Sequence, residues 1–366
     1  MVKPADVVVL GSLNMDLVAQ VDRLPQPGET LTGRSFATVP GGKGANQAVA
    51  AARLGVSCAI AGRIGQDAFG SALRTQLMSE QIDVSALHRS AQHPSGTALI
   101  AVSPMNNQII VIPGANGAVD EDDLARLTPY FAKAKVLLLQ FEIPLPLVEK
   151  AAAIAHQAGL IVIVDPAPVP SLPEQALAPD FCEYISILTP NQTEAERLTG
   201  MAIVDEKSAI ATAERLQRQG IEVVIVKLGD RGIVCATATD SFAVPAFPVQ
   251  AIDTVAAGDA FNGGLAAALC QSALGPSALG PSASKPSDTA LPQTRLNPKL
   301  NPQLSQKLSQ KLNHRAVLEP AIRYANAVAA LAVTQSGAQA AMPKAEQVAA
   351  FLRDRGHDTW ATPQRS

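Results

Sequence analysis

The chain is punctuated by short, wholly apolar runs. Val7–Leu10, Cys58–Ala61, Val136–Leu139, Leu160–Val164 and Val223–Val226 have strand length, and none alternates with polar residues as a half-exposed strand would. Between them the apolar spacing becomes helical. Ala45–Leu54 stops at Gly55, Ala68–Met78 follows Asp67 as N-cap, Leu145–Ala158 lies between Pro144 and Gly159, and Ala209–Gln219 stops at Gly220. This alternation predicts an α/β fold with a doubly wound, mainly parallel sheet flanked by helices. A second pattern is embedded in the first. Leu13–Val21 alternates, and Arg34–Val39, Thr97–Val102 and Gln108–Ile112 read as strands with one face toward water. They predict a small antiparallel β-lid within about residues 12–40 and 96–113.

Residues 271–315 break both patterns. Ser, Pro, Leu, Lys, Gln and Asn dominate in short repeats, and prolines at 276, 281, 286, 292, 298 and 302 forbid a continuous helix. The expectation is a low-complexity, disordered insertion in one domain spanning 1–366, with a short amphipathic helix near Leu304–Leu312.

Composition narrows the class. Of the 366 residues 47% are hydrophobic, enough for a large core, and 29 basic against 32 acidic residues leave a net charge of −3. A nucleic-acid or anionic-membrane partner is therefore not expected, since phosphate binding needs a basic excess. No apolar run approaches the roughly 20 residues of a membrane span, and the start, MVKPADVVVLG, reads as a strand rather than a signal peptide. The expected compartment is the cytoplasm. Cys58, Cys182, Cys235 and Cys270 are far apart in sequence, which suits buried thiols better than a zinc site or disulfide framework.

Four segments could carry chemistry. In Ile252–Phe261 a strand-like run, Phe247–Ile252, enters the small-residue turn Ala256-Ala257-Gly258 and opens into the helical pattern Ala260–Leu269. Such a turn leaves backbone N–H groups free for a phosphate or developing anion, and Asp259 beside it could take a proton from a hydroxyl; a plain N-cap is the alternative. Pro40-Gly41-Gly42-Lys43-Gly44-Ala45-Asn46-Gln47 is neither a Walker A loop nor a dinucleotide fingerprint. Its paired glycines suit a hinge, with Lys43 and Asn46 beside it, though a glycine-rich turn would look the same. In Gly11–Asp16, Asn14 and Asp16 share one strand face and suit paired sugar hydroxyls, or simply an exposed edge. In Thr189–Glu196, Asn191 and Glu194 have capping-box spacing, and Glu194 could equally face Mg²⁺ through water.

GSLNMD, PGGKGANQA, TPNQTEAE and DTVAAGDAFNGG, in this order, together with Gln140-Phe141-Glu142 and Lys227–Gly232, resemble the ribokinase/PfkB carbohydrate kinase family over roughly residues 6–270 and 316–355. The resemblance implies a ribokinase-like α/β fold with a β-lid, and homodimers formed through the lids. It implies ATP-dependent phosphorylation of D-ribose at its 5-hydroxyl, with another small sugar or nucleoside (2-deoxyribose, fructose or adenosine) as the alternative. By motif, sugar would be held by Asn14, Asp16, Gly42, Lys43, Gly44, Ala45, Asn46 and Glu142, and Asp259 would be the general base. The anion hole would be Ala256, Ala257 and Gly258. Nucleotide would lie along Asn191, Lys227, Leu228, Gly229, Asp230, Arg231, Gly232, Gly258 and Asn326. K⁺ would be bound by Asp253, Val255, Ala332, Gln335, Gly337 and Ala341, and Mg²⁺ through water by Glu194.

Overall fold

A computed structural model describes residues 3–169, 177–272, 312 and 314–357. The strands are β1 (Val7–Leu10), β2 (Asn14–Gln20), β3 (Ser35–Gly41), β4 (Cys58–Gly65), β5 (Leu87–Ser90), β6 (Gly96–Val102), β7 (Asn107–Ile112), β8 (Val136–Gln140), β9 (Ile161–Asp165), β10 (Ile187–Leu188), β11 (Val223–Lys227), β12 (Ile233–Thr237) and β13 (Ser241–Val244). Nine form one sheet in the order β13-β12-β11-β10-β9-β8-β1-β4-β5. It is parallel from β5 to β11 and antiparallel in its last two pairings.

Each apolar run proves to be a strand buried on both faces, and alternate residues feed two cores. Val7, Val9, Val136 and Leu138 pack with α1 (Lys43–Arg53), α2 (Ala68–Ser79), α8 (Ala257–Gln271), α9 (Arg315–Ala332) and α10 (Ala345–Arg353). Val8, Leu10, Leu137 and Leu139 pack with α3 (Glu121–Leu127), α4 (Leu145–Gln157), α5 (Pro179–Cys182), α6 (Gln192–Thr199) and α7 (Glu206–Gln217). Full burial on both sides explains why these runs carry no polar alternation. The four cysteines are free and buried.

The lid is a separate four-stranded sheet, β3-β2-β6-β7. Its outer pairs run antiparallel, while the central β2–β6 pair is parallel, from Asn14 opposite Gly96 to Gln20 opposite Val102. All six residues of β7 are exposed, as is Phe36 of β3.

Three expectations need revision. Phe247–Ile252 is not a strand: the chain leaves the sheet after Val244, Pro248 lacks a donor, and the Ile252 N–H bonds the Val333 carbonyl at 2.7 Å. The helix expected at Ala209–Gln219 begins earlier, at Glu206, where Asp205 caps it by accepting from the Ser208 N–H. The third concerns 271–315, most of which lies outside the described residues. Gln271 and Ser272 close α8, Leu312 is fully buried in the first core, and α9 begins at Arg315. The flexible stretch expected from composition therefore cannot run through Leu312.

Candidate active site

The sheet order brings the chemistry together. From β1 the sheet grows toward β4 on one side and β8 on the other, and such a reversal opens a crevice at the strands' C-terminal ends. Ser12–Asp16 follows β1, Glu142 follows β8, Asp165 ends β9, Asn191 follows β10 and Lys227 ends β11. Helices α1 and α8 deliver Lys43, Asn46, Gln47 and Asp259 to the same edge.

Asp259 lies in the first turn of α8 and is buried. Its carboxylate accepts from Asn46 Nδ2 at 2.9 Å and from Gln47 Nε2 at 3.1 Å. Burial pushes its acidity toward the protonated form, against the pull of Lys43. The preceding turn has the expected character. Ala256 is in the left-handed region (φ 59°) without a side-chain cap, and the first helical bond runs from the Ala260 N–H to the Ala256 carbonyl. Of the three expected anion-hole donors, Ala257 already closes a turn onto the Thr254 carbonyl at 3.3 Å. Lys227 Nζ lies 3.2 Å from where a Cβ on Gly258 would stand, which brings a cation to the mouth of this turn.

Asp165 was not singled out by the sequence, yet it anchors the charges. It is buried, with Lys227 Nζ at 3.1 Å and Lys43 Nζ at 3.6 Å. Burial alone would raise its pKa; the two lysines override that and hold it below the usual carboxylate range. Lys43, expected on the sugar, thus directs its ammonium toward Asp165.

The residues expected at the sugar are assembled around the turns into β2 and α1. Gly42 caps α1 at φ 89°, and a Cβ there would stand 2.6 Å from the Asn14 nitrogen, so only glycine fits. Glu142 accepts from the Ser12 hydroxyl and from the Lys43 N–H, clamping the β1–β2 turn to the helix start. Asn14 Oδ1 accepts from Asn116 Nδ2 at 2.7 Å, and Asn116 also bonds both polar groups of the Leu13 backbone. Asp16 is only partly covered. Burial, with Glu142 and Asp259 nearby, pushes its pKa up to about 7. Asn46 Oδ1 is buried without a protein partner. Gly44 and Ala45 spend their N–H groups on Ser12, at Oγ and the carbonyl respectively, so they shape the loop.

Of the residues expected at the nucleotide, Asn191 and Glu194 do form a capping box. Burial and Asp165 raise the pKa of Glu194, while Lys227 and Lys43 oppose this, so it shares the field of the Asp165–lysine cluster. Gly229–Arg231 form a single 3₁₀ turn, Leu228 is buried, and Arg231 bonds Gln192. Asp230 lies in that turn, and Gly232 follows it at φ 87°. Asn326, on α9, donates to the Pro245 carbonyl at 3.3 Å. In the loop expected for K⁺, Asp253 accepts from the N–H groups of Val255 and Gly337 at 2.9 Å each. Ala332 ends α9, Gln335 follows it, and Ala341 is buried.

Asp165, Gln47, Gln140, Ser12 and Asn116 are the site residues that sequence reasoning missed. The available signal was a polar residue ending a buried apolar strand: Gln140 closes VLLLQ and Asp165 closes IVIVD.

The chain is similar to known carbohydrate kinases. The model of the pfkB family carbohydrate kinases matches residues 4–279. A ribokinase of Haemophilus influenzae is 37% identical over 345 residues, covering 94% of this chain and 97% of its own. A deoxyribokinase of Salmonella typhi is 35% identical, covering 70% and 83%. The structure of an Arabidopsis thaliana ribokinase complexed with ribose and ATP superposes with a TM-score of 0.74 at 27% identity, covering 96% and 99%. The chain belongs to the pfkB family of carbohydrate kinases. It is an ATP-using sugar kinase, a phosphotransferase with an alcohol group as acceptor.

Proposed function

We propose that the chain transfers the γ-phosphoryl group of ATP to the 5-hydroxyl of D-ribose, giving D-ribose 5-phosphate and ADP. The observation that carries this is the buried Asp259 carboxylate, held by Asn46 and Gln47 in the first turn of α8. Asp259 takes the proton of the 5-hydroxyl, the oxygen attacks the γ-phosphorus, and the bond from that phosphorus to the β,γ-bridging oxygen breaks. Backbone N–H groups of the Ala256–Gly258 turn, of which that of Ala257 must first leave the Thr254 carbonyl, and the ammonium of Lys227 meet the negative charge spread over the transferring group. Asn14 and Asp16 serve as donor and acceptor to sugar hydroxyls, and the unpartnered Asn46 Oδ1 supplies a further acceptor.

Nucleotide lies along Asn191, Lys227–Gly232 and Asn326. Among the described residues no group of three or more acidic, His or Cys side chains could cage a metal. Mg²⁺ would arrive carried on ATP and be reached by Glu194 through water, because Mg²⁺ keeps several waters and few protein ligands. When bound it would neutralise phosphate charge. The Asp253 loop, with its Val255 and Gly337 contacts, suits a monovalent cation held largely by carbonyls of Val255, Ala332, Gln335, Gly337 and Ala341. The exposed apolar β7 supports homodimers through the lids. No helix among the described residues is long and apolar enough to cross a membrane.

The deoxyribokinase relative favours 2-deoxyribose as the second reading. An ADP-release assay over ribose, 2-deoxyribose, fructose and adenosine, in K⁺ and in Na⁺, separates the substrates. Ribose should have the highest kcat/KM, with K⁺ raising turnover. A higher value for another acceptor would replace the ribose reading.

A further inference from the structure

We propose that Gln47 is the positioning residue of the base: its side-chain amide, locked by Gln140, fixes the Asp259 carboxylate and ties it to the lysine-paired carboxylate of Asp165. This rests on the reading of Asp259 as the base.

The geometry is a chain of buried groups. Gln47 Nε2 carries two hydrogens and has two carboxylate acceptors, Asp259 Oδ1 at 3.1 Å and Asp165 Oδ2 at 3.2 Å. Gln47 Oε1 accepts from Gln140 Nε2 at 2.8 Å. Both glutamines have no exposed surface. Turning the Gln47 amide over would set its oxygen against two carboxylates and its nitrogen against the Gln140 nitrogen, losing every one of these bonds. Only one orientation survives, selected by Gln140 and the two carboxylates together.

The helices that carry the partners cannot drift apart to relax the arrangement. Gly263, one turn beyond Asp259 on α8, faces α1 so closely that a Cβ there would stand 2.8 Å from the Gln47 carbonyl and 2.4 Å from the Ala50 Cβ. The amide is therefore presented by a fixed backbone. With Asn46 on Oδ2 and Gln47 on Oδ1, the Asp259 carboxylate is pinned at both oxygens. Its rotation is set before substrate arrives, which a proton acceptor within about 3 Å of its hydroxyl requires.

The same amide reports the phosphate side to the base. Asp165 is the counter-ion of Lys43 and Lys227. Phosphates that draw those lysines away leave the Asp165 charge less compensated, and the shared amide then binds Asp165 more strongly. The groups that act on Asp259 are Lys43, Asn46 and Gln47 from α1 and Asp165 from β9; Asp259 in turn raises Asp16 on β2.

The test is the pH dependence of kcat at saturating sugar, where Asp16 is covered and kcat reports groups in the ternary complex. Gln47→Met keeps the volume and removes both donors. It should lower kcat by about ten- to a hundredfold, the worth of a hydrogen bond to a charged group. It should also move the acid limb upward by about one pH unit, because an Asp259 without that donor holds its proton more tightly. KM for sugar and for ATP should stay within about threefold, since the partners that bind them are untouched. Gln140→Leu should shift the limb in the same direction by less. A lowered kcat with an unmoved acid limb, or an unchanged kcat, overturns the proposal. If Gln47→Met does not fold, Gln140→Leu decides by the same readout. Asp259→Asn separates the two readings. Near-full turnover in that variant removes the base assignment itself, whereas an inactive Asp259→Asn beside an unmoved Gln47→Met limb overturns the positioning role alone.

Discussion

β8 and β7 are both short strands of branched apolar residues, VLLLQ and NQIIVI, yet every residue of the first is buried and every residue of the second is exposed. β8 lies between β9 and β1, with helices over both faces; β7 is the outermost strand of the lid. The difference also divides the chemistry. In the proposed mechanism the sheet ends in the groups that would hold still during transfer, Asp165, Lys227 and, through α8, Asp259. The lid carries Asp16, which on the same reading would meet a sugar that enters and leaves. A strand's apolar content thus tells less about its role than the neighbours its connectivity supplies.

If the division holds, the largest effect belongs to the rigid side. Asp259→Asn should lower kcat by about 10²–10⁴-fold while sugar binding, measured by calorimetry, changes little. Next comes the strand core itself. Leu138→Ala, in β8, should cost about 2–5 kcal/mol in urea unfolding, whereas Ile110→Lys on β7 should cost less than about 0.5 kcal/mol at low protein concentration. Similar costs at the two positions would break the comparison. The same Ile110→Lys chain should sediment as a monomer at concentrations where the parent associates.

Asp16 tests the lid's share of recognition. Asp16→Ala should raise KM for sugar by about tenfold or more, from about 1.5–3 kcal/mol per charged hydrogen bond, with KM for ATP nearly constant. Its acidity adds a pH signature. A pKa pushed up to about 7 in the folded chain, well above the usual carboxylate range, means that the folded chain binds the proton more tightly than the unfolded chain does. Asp16 therefore costs stability as pH rises from about 4 through 7. Asp16→Asn removes that cost, so its gain in melting temperature should be largest at pH 8 and shrink toward pH 5. The smallest effect expected is that of replacing residues 273–311 with a short Gly/Ser turn. With Leu312 kept, kcat should stay within about twofold, because the length of chain between two fixed ends carries only a mild entropic term. A large rise in KM for ATP would instead make that segment part of the nucleotide site.

The strands buried on both faces were legible because nothing but apolar residues survives there. The edges were not. β5 reads LHRS, and the β12–β13 turn, Ala238-Thr239-Asp240, lacks the glycine that marks a tight hairpin. Pro248 was the available warning against a strand at 247–252. In the site, Asn14, Asp16, Asn46 and Asp259 stood out because each sits in a run whose composition is itself unusual. Gln140 and Asp165 stand alone at strand ends, and their importance arises only when the sheet order sets β8 and β9 side by side beneath α1. Asn116 is further still from any motif; it matters because β2 and β6 begin in register beside it.

The four buried cysteines give the folded chain almost no reactive sulfur. Burial pushes the thiols up, to about 12 for Cys58 and about 11 for Cys182, and up likewise for Cys235 and Cys270. Alkylating reagents attack the thiolate, so modification near neutral pH must wait for the surrounding structure to open. The four positions fall in β4, α5, β12 and α8. Peptide-resolved labelling would therefore time the opening of four regions in one unaltered chain. A slowing at Cys270 on adding nucleotide, with Cys58 unchanged, would show how far ligand binding tightens α8 beyond its first turn.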